Sequence, residues 1–253
     1  MFIKIKDRES MFIDIHCHIL PAVDDGADSM IESLDIISNA YKAGTNIMVA
    51  TPHYGLSEMS GISTDKDLVL NTFRILCDEI KDRNIPVRVF LGSELLMNEK
   101  LDELKHNNGL IPINGSRYML CEFYFDENIK NVYKYIEKLM SYGYIPIIAH
   151  PERYGFFNAD KSDISVLYER GCRFQINKDS LTGKNGIAAK ETAIWMLQNN
   201  YVNFVASDCH NSSTRNADMS ELYLSLLDFI SQEKVNVLLH DNPKRILLDM
   251  NIQ

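Results

Sequence analysis

The chain has 253 residues, long enough to bury a sizeable core as one large α/β domain or two small ones. Its hydrophobic and charged fractions, 45% and 24%, are those of an ordinary globule, and no apolar run approaches the ~18 residues of a membrane span. A formal charge of -9 disfavours non-specific nucleic-acid binding, and five scattered cysteines (Cys17, Cys77, Cys121, Cys172, Cys209) with no CxxC pair argue against a disulfide framework.

The opening stretch MFIKIKDRES carries charges but no apolar core of signal-peptide length, so the cytoplasm is the expected compartment. From there, β-like runs alternate with helical patterns. The run Phe12–His16 is followed by a capping-box signature, Ser29 with Glu32, ahead of Met30, Ile31, Leu34, Ile37 and Tyr41, and Gly44 closes that helix. Next come the run Asn46–Thr51, a helix with Val69, Phe73, Leu76 and Ile80 on one face, and the runs Val87–Gly92 and Tyr118–Phe123. Val132, Ile136, Leu139 and Met140 mark a helix before Gly143, followed by Tyr144–Ala149, Arg173–Asn177, a helix over Ile187–Asn199, and Asn203–Ala206. A helix over Leu222–Ile230 follows, and Asn242-Pro243 reads as a cap with proline at the first helical position. Seven such units without repeats or a linker predict one domain over residues 1–253, with parallel strands closed or nearly closed into a barrel. An open doubly wound sheet is the alternative, but neither GxGxxG nor a Walker pattern is present.

In such barrels the chemistry sits at the C-terminal strand ends. Five of the seven histidines (His16, His18, His53, His150, His210) fall there, as do Asp25, Glu94, Glu122 and Asp208, whereas His106 and His240 do not. Strand alternation places Asp14, His16 and His18 on one face and Ile13 and Ile15 on the other. By the same logic Cys17 and Cys209 turn away from the ligands. HxH or DxH alone is weak evidence, commonly hydrogen-bonded histidines. The coincidence of imidazoles and carboxylates on six or more units is what points to cations, because buried carboxylates without compensation are costly. Mixed nitrogen and oxygen donors suit zinc, manganese or iron better than calcium, and this many donors implies two or three ions. Arg153 and Arg215 follow His150 and His210 closely, and guanidinium forks match phosphate oxygens. A phosphate-bearing substrate is the expectation.

The stretches FIDIHCHILPAVDDGADSMIES, VATPH, GSELL, LCEF, IIAHPERY and ASDCHNSSTR, spanning residues 12 to 215, resemble the polymerase and histidinol phosphatase (PHP) superfamily. Within it they are similar to the CpsB-type protein-tyrosine phosphatases of bacterial capsule and exopolysaccharide systems. The resemblance implies a distorted (β/α)7 barrel with the active site at the C-terminal strand ends. Its metal ligands would be His16, His18, Asp25, His53, Glu94, Glu122, His150, Asp208 and His210, with Arg153 and Arg215 on the phosphate. It also implies a preference for manganese (iron, zinc or magnesium being alternatives) and a polysaccharide-synthesis tyrosine kinase as substrate and partner. About ten residues precede the usual start, and the loop Tyr54–Ser63 is expected to bear on substrate choice.

The mechanism expected is hydrolysis of phosphotyrosine by a metal-activated hydroxide, with no phosphoenzyme and with His210 or a water as the proton donor. The rivals are a small-molecule phosphatase of the histidinol-phosphate type, a PHP-type nuclease, a non-catalytic metal-stabilised subunit of a polysaccharide-export complex, and thiol catalysis. Two C-x5-R strings, Cys77 to Arg83 and Cys209 to Arg215, raise the last, but the first lies in an acidic helix and the second has no glycine to open an anion cradle. Trp195, Tyr124 and Phe125 read as packing, and Tyr133, Tyr135, Tyr142 and Tyr144 as helix and barrel surface.

Overall fold

The computed structural model describes residues 12–57 and 61–252; the N-terminal stretch and part of the Tyr54–Ser63 loop therefore lie outside the described residues. Among the described residues nine strand segments form: β1 (Phe12–Cys17), β2 (Thr45–Ala50), β3 (His53–Tyr54), β4 (Arg88–Leu91), β5 (Glu94–Leu96), β6 (Tyr118–Glu122), β7 (Ile145–Ala149), β8 (Arg173–Asn177) and β9 (Phe204–Ala206). Every pairing is parallel, in the orders β1-β2-β4 and β3-β5-β6-β7-β8-β9.

All seven expected runs become strands, and two of them continue beyond a break. Proline cannot donate to a ladder, so Pro52 separates β2 from β3. Gly92-Ser93 separates β4 from β5 at the matching height. The broken pairs stay in step, with His53 aligned on Glu94. The last strand returns to the first at the mouth: Cys17 bridges Cys209, the Asp208 amide donates to the His16 carbonyl (2.9 Å), and the His18 amide donates to that of Cys209 (2.9 Å). This is the distorted barrel expected, joined at one end by a few bonds.

The helices are α1 (Met30–Lys42), α2 (Lys66–Asp82), α3 (Leu101–His106), α4 (Ile129–Ser141), α5 (Gly155–Ala159), α6 (Ser162–Glu169), α7 (Lys178–Thr182), α8 (Ile187–Gln198) and α9 (Leu222–Leu227). Ser29 caps α1 by accepting the Glu32 amide at 3.2 Å. The Glu32 carboxylate, expected to close the capping box, instead accepts the Ser212 amide at 2.6 Å and ties α1 to the loop after β9. The Asn242-Pro243 cap does not form. α10 (Gln232–Asn236) continues through a π turn, Val237–Asp241, into α11 (Asn242–Leu247). Asn242 is right-handed helical, with its side-chain Nδ2 donating to the Asn203 carbonyl (3.1 Å), and the wider turn accommodates a proline inside the helix.

Two apolar layers follow from strand alternation. Tyr118 and Leu120 of β6, Ile147 and Ala149 of β7, and Phe204 and Ala206 of β9 join Ile13, Ile15 and Val49 in one cluster. The intervening Met119, Cys121, Ile148 and Val205 pack against the helices with Leu34, Val69, Ile136 and Met196. Each such fully buried aliphatic side chain contributes roughly 1.5–3 kcal/mol. Two residues further along the first face come Glu122 on β6 and Asp208 after β9, so the stripe that fills the barrel ends in carboxylates at its mouth.

β1 departs from simple alternation. Asp14 pairs with Met48 but Cys17 with Ala50, three residues against two, which is a β-bulge. Asp14 is thereby separated from the histidines expected beside it, and its carboxylate accepts the backbone amides of Ser207 (3.0 Å) and His16 (3.4 Å).

Candidate metal centre

The nine sequence-selected imidazoles and carboxylates meet at the mouth. His16 stands near the end of β1 with His18 just beyond, Asp25 lies in the following loop, and His53 and Glu94 open β3 and β5. Glu122 ends β6, His150 follows β7, and Asp208 and His210 follow β9. Glu94 is the hub. Its Oε2 is 3.1 Å from His16 Nε2, 3.2 Å from His18 Nε2 and 3.1 Å from His53 Nδ1, while its Oε1 is 2.8 Å from His150 Nε2. Asp208 Oδ1 lies 3.5 and 3.4 Å from His16 and His18 Nε2, and Asp25 Oδ1 lies 3.5 Å from both His53 and His210 Nε2. Glu122 Oε1 is 2.7 Å from His53 Nδ1. Among the described residues, three overlapping groups have donor atoms within 4.8 Å of one another: His18, Asp25, His53 and His210; His16, His18 and Glu94; His53, Glu94 and Glu122.

A second layer orients the rings. His16 Nδ1 bonds Gln175 Oε1 (2.8 Å), His18 Nδ1 bonds Asp24 Oδ2 (2.7 Å), and His210 Nδ1 bonds the Asp208 carbonyl (3.1 Å). These acceptors hold a proton on Nδ1 and leave each Nε2 facing the centre. His16 and His18 Nε2 are then only 3.1 Å apart with Glu94 Oε2 between reach of both. Without a cation the carboxylates draw protons onto these nitrogens, raising His16 and His18 above the usual imidazole value; a divalent cation would take the place of those protons. Glu94 Oε2 and His210 Nε2 are buried without a hydrogen-bond donor, which fits the same role. The residues present therefore fit divalent cations, with nitrogen and oxygen donors and no thiolate among them. Two of the nine also hold left-handed backbone, His150 (φ 33°) and Asp208 (φ 52°). Such conformations in non-glycine residues cost on the order of 1–3 kcal/mol and collect at functional sites.

Burial and mutual charge set the titration of the cluster. Burial disfavours the charged form of Glu94 and Asp208, but the imidazoles around them outweigh it and hold both well below the carboxylate range. Burial also pulls the imidazoles down. For His18 the Asp24 carboxylate overrides it and raises the group well above its usual value; for His53, Glu94 and Glu122 raise it to about 9. Desolvation wins at His210, which falls to about 4, and at His150. Burial, reinforced by Glu94, pushes Glu122 up to about 7, and the imidazoles facing it, His210 foremost and then His53 and His18, lower Asp25 to about 2.

Arg153 and Arg215 reach the same carboxylate oxygen, Asp208 Oδ2, at 3.3 and 3.1 Å, as their positions after His150 and His210 suggested. Asp24 and Gln175 escaped the sequence reading. The doubled acid in VDDG was the available signal for Asp24; Gln175, inside a short strand, offers none. Phe125 is a correction. It is 55% exposed, 6.5 Å from the His150 ring in a stacked arrangement and 5.2 Å from the Arg153 guanidinium carbon, so it borders the site and is no packing residue. Trp195 does pack, against Tyr201. His106 and His240 stay apart, bonded to the Asp102 carbonyl and to Asp241. Cys17 and Cys209 are buried in the helix-facing core, so Cys209 presents no thiol to a phosphate, and Arg83 pairs with Glu79 on α2.

Comparison with known proteins places the chain in a family. Residues 12–248 match the family model described as capsular polysaccharide synthesis, CpsB/CapC. Tyrosine-protein phosphatase YwqE of Bacillus subtilis is 33% identical, covering 95% of this chain and 93% of its own. Tyrosine-protein phosphatase CpsB of Streptococcus agalactiae is 30% identical, covering 93% and 98%. A crystal structure from a study of YwqE of Bacillus subtilis and CpsB of Streptococcus pneumoniae, described as unique metal-dependent tyrosine phosphatases, superposes with a TM-score of 0.86 at 31% identity, covering 95% of this chain and 96% of that one. The phosphotriesterase homology protein of Escherichia coli, at 12% identity and a TM-score of 0.58, shares the fold alone. The chain belongs to the CpsB/CapC family of capsular polysaccharide synthesis.

Proposed function

We propose that this protein is a metal-dependent protein-tyrosine phosphatase, a phosphoric monoester hydrolase that cleaves phosphotyrosine. The observation that carries the reading is the convergence of two guanidinium groups on Asp208 Oδ2, at 3.3 and 3.1 Å, beside a cluster of imidazoles and carboxylates. The names of the relatives support it. The ligands in this reading are His16, His18, Asp25, His53, Glu94, Glu122, His150, Asp208 and His210, and they take two or three divalent ions, with manganese preferred. The substrate protein is a tyrosine kinase of polysaccharide synthesis, met in the cytoplasm, and residues 1–253 act as one PHP domain.

Bound divalent ions supply a water of lowered pKa and neutralise charge on the phosphoryl group. The chain's own groups do the rest. Arg153 and Arg215 grip the non-bridging phosphoryl oxygens, giving up contact with Asp208 to do so, and stabilise the charge that builds there. Gln175, Asp24 and the Asp208 carbonyl keep the Nε2 lone pairs of His16, His18 and His210 inward. Because His210 donates its Nδ1 proton to that carbonyl, it serves better as a ligand than as an acid. A tyrosinate leaving group, with an unperturbed pKa of about 10, needs less protonation than an alkoxide.

Hydrolysis of a phosphotyrosine peptide by metal-loaded protein tests this. Arg153→Ala and Arg215→Ala should each lower kcat/KM on the order of 10²-fold, as loss of an oxyanion donor does. Full activity in both variants, or faster turnover of histidinol phosphate than of the peptide, would overturn the reading.

A further inference from the structure

A cavity of about 400 Å³ opens beside His53 and Glu122, against the segment that follows β6. Its apolar lining comes from Ile62, Leu96, Phe123, Tyr124 and Phe125. We infer that this cavity is a slot for the aromatic ring of an aryl phosphate, with Phe125 the residue that selects aryl over alkyl esters; the inference deepens the phosphatase reading and rests on it.

Phe125 is held at the mouth by the site. Its ring stacks on His150 at 6.5 Å, meets Tyr154 at 5.6 Å, and carries the Arg153 guanidinium 5.2 Å from its centroid, yet it stays 55% exposed. An aromatic face left bare beside a cluster of ionisable groups has hydrophobic and stacking energy to offer a ring. Arg153 joins the two ends, touching Phe125 on one side and Asp208 Oδ2, 3.3 Å away, on the other. An ester whose phosphoryl oxygens sit on Arg153 and Arg215 therefore lays its leaving group along Phe125. The walls also contain Asp25, Glu122 and Asp126, which repel a second anion and so disfavour a leaving group that carries further phosphates, such as a nucleotide's.

Calorimetric titration of metal-loaded protein with phenylphosphonate and methylphosphonate tests the slot without turnover. Wild type should bind the phenyl compound more tightly. Phe125→Ala should cut the phenyl-over-methyl ratio roughly three- to tenfold, the scale of one aromatic contact, and Phe125→Trp should restore it. Equal wild-type affinities overturn the slot. So does a ratio unchanged in Phe125→Ala, including an equal loss for both ligands, since that would show Phe125 acting only through Arg153. Turnover of phosphotyrosine without a phenyl preference would sink the slot alone, whereas an intact preference without turnover would sink the phosphatase reading alone.

Discussion

Three imidazoles in this mouth each have an acceptor behind them. Gln175 is the most telling, because its Oε1 fixes His16 while its Nε2 donates to Asn177 (2.8 Å), whose own amide reaches Asp208 Oδ2 at 2.6 Å. One strand residue thus orients a histidine and, through a neighbour, a carboxylate. Gln175→Leu keeps the volume but removes the acceptor, freeing His16 to rotate or change tautomer. Metal affinity should fall about 10–100-fold while the fold survives, as measured by competition with a calibrated chelator. Unchanged affinity would mean that the His16–Gln175 bond is incidental. The ligand candidates were legible because histidine and acid at strand ends form a pattern over many units. Gln175 was not, since its role exists only once β8 lies beside β1's histidine.

At the scale of elements, the β1–α1 loop decides where His18 and Asp25 stand. Gly26 is packed so closely that a Cβ there would lie 2.3 Å from the His18 carbonyl oxygen and 2.5 Å from His18 Cβ. Its amide donates to Asp24 Oδ1 at 3.0 Å, closing the turn that brings Asp24 to His18. Gly26→Ala must therefore push the loop off the ring, with an overpacking cost of about 1–3 kcal/mol. The expected outcome is a lower thermal midpoint in metal-free protein together with reduced metal content; a wild-type value for both would show that the loop has room to spare. The strand and helix periods were readable wherever one face is apolar throughout. The β1 bulge was not, because FIDIHCH alternates well enough on paper to hide an extra residue. The Asn242-Pro243 cap failed for a related reason: a π turn admits proline within a helix, and no side-chain pattern announces it.

For the whole molecule, the barrel holds a charged cluster whose protons are linked to stability. Glu94 and Asp208, depressed below their unfolded values of 4.5 and 3.8, add stability above those values and lose it as pH falls through the folded ones. His150 and His210, depressed below 6.5, penalise the native state as pH falls beneath that value. His16, His18 and His53 run the other way. Raised above 6.5, they stabilise fully below it and lose that contribution as pH rises, with His53 spent by about 9. Glu122 and Glu152, both pushed up to about 7 by burial, add to that loss as pH rises, so metal-free protein should melt progressively lower from pH 6.5 to 9, measured by calorimetry after chelation. A midpoint that rises between pH 6.5 and 9 would contradict this coupling. Barrel class was readable from seven alternating units, whereas its joining through Cys17 and Cys209 depends on where the segments following β1 and β9 meet in space.

Crystals grown with manganese and measured for anomalous scattering address the central claim most directly. Two or three peaks should appear among the donor atoms around Glu94 Oε2, Asp208 Oδ1 and Asp25 Oδ1, within coordinating distance of His16, His18, His53 and His210. A cluster without anomalous signal, in protein that still hydrolyses phosphotyrosine after exhaustive chelation, would contradict it.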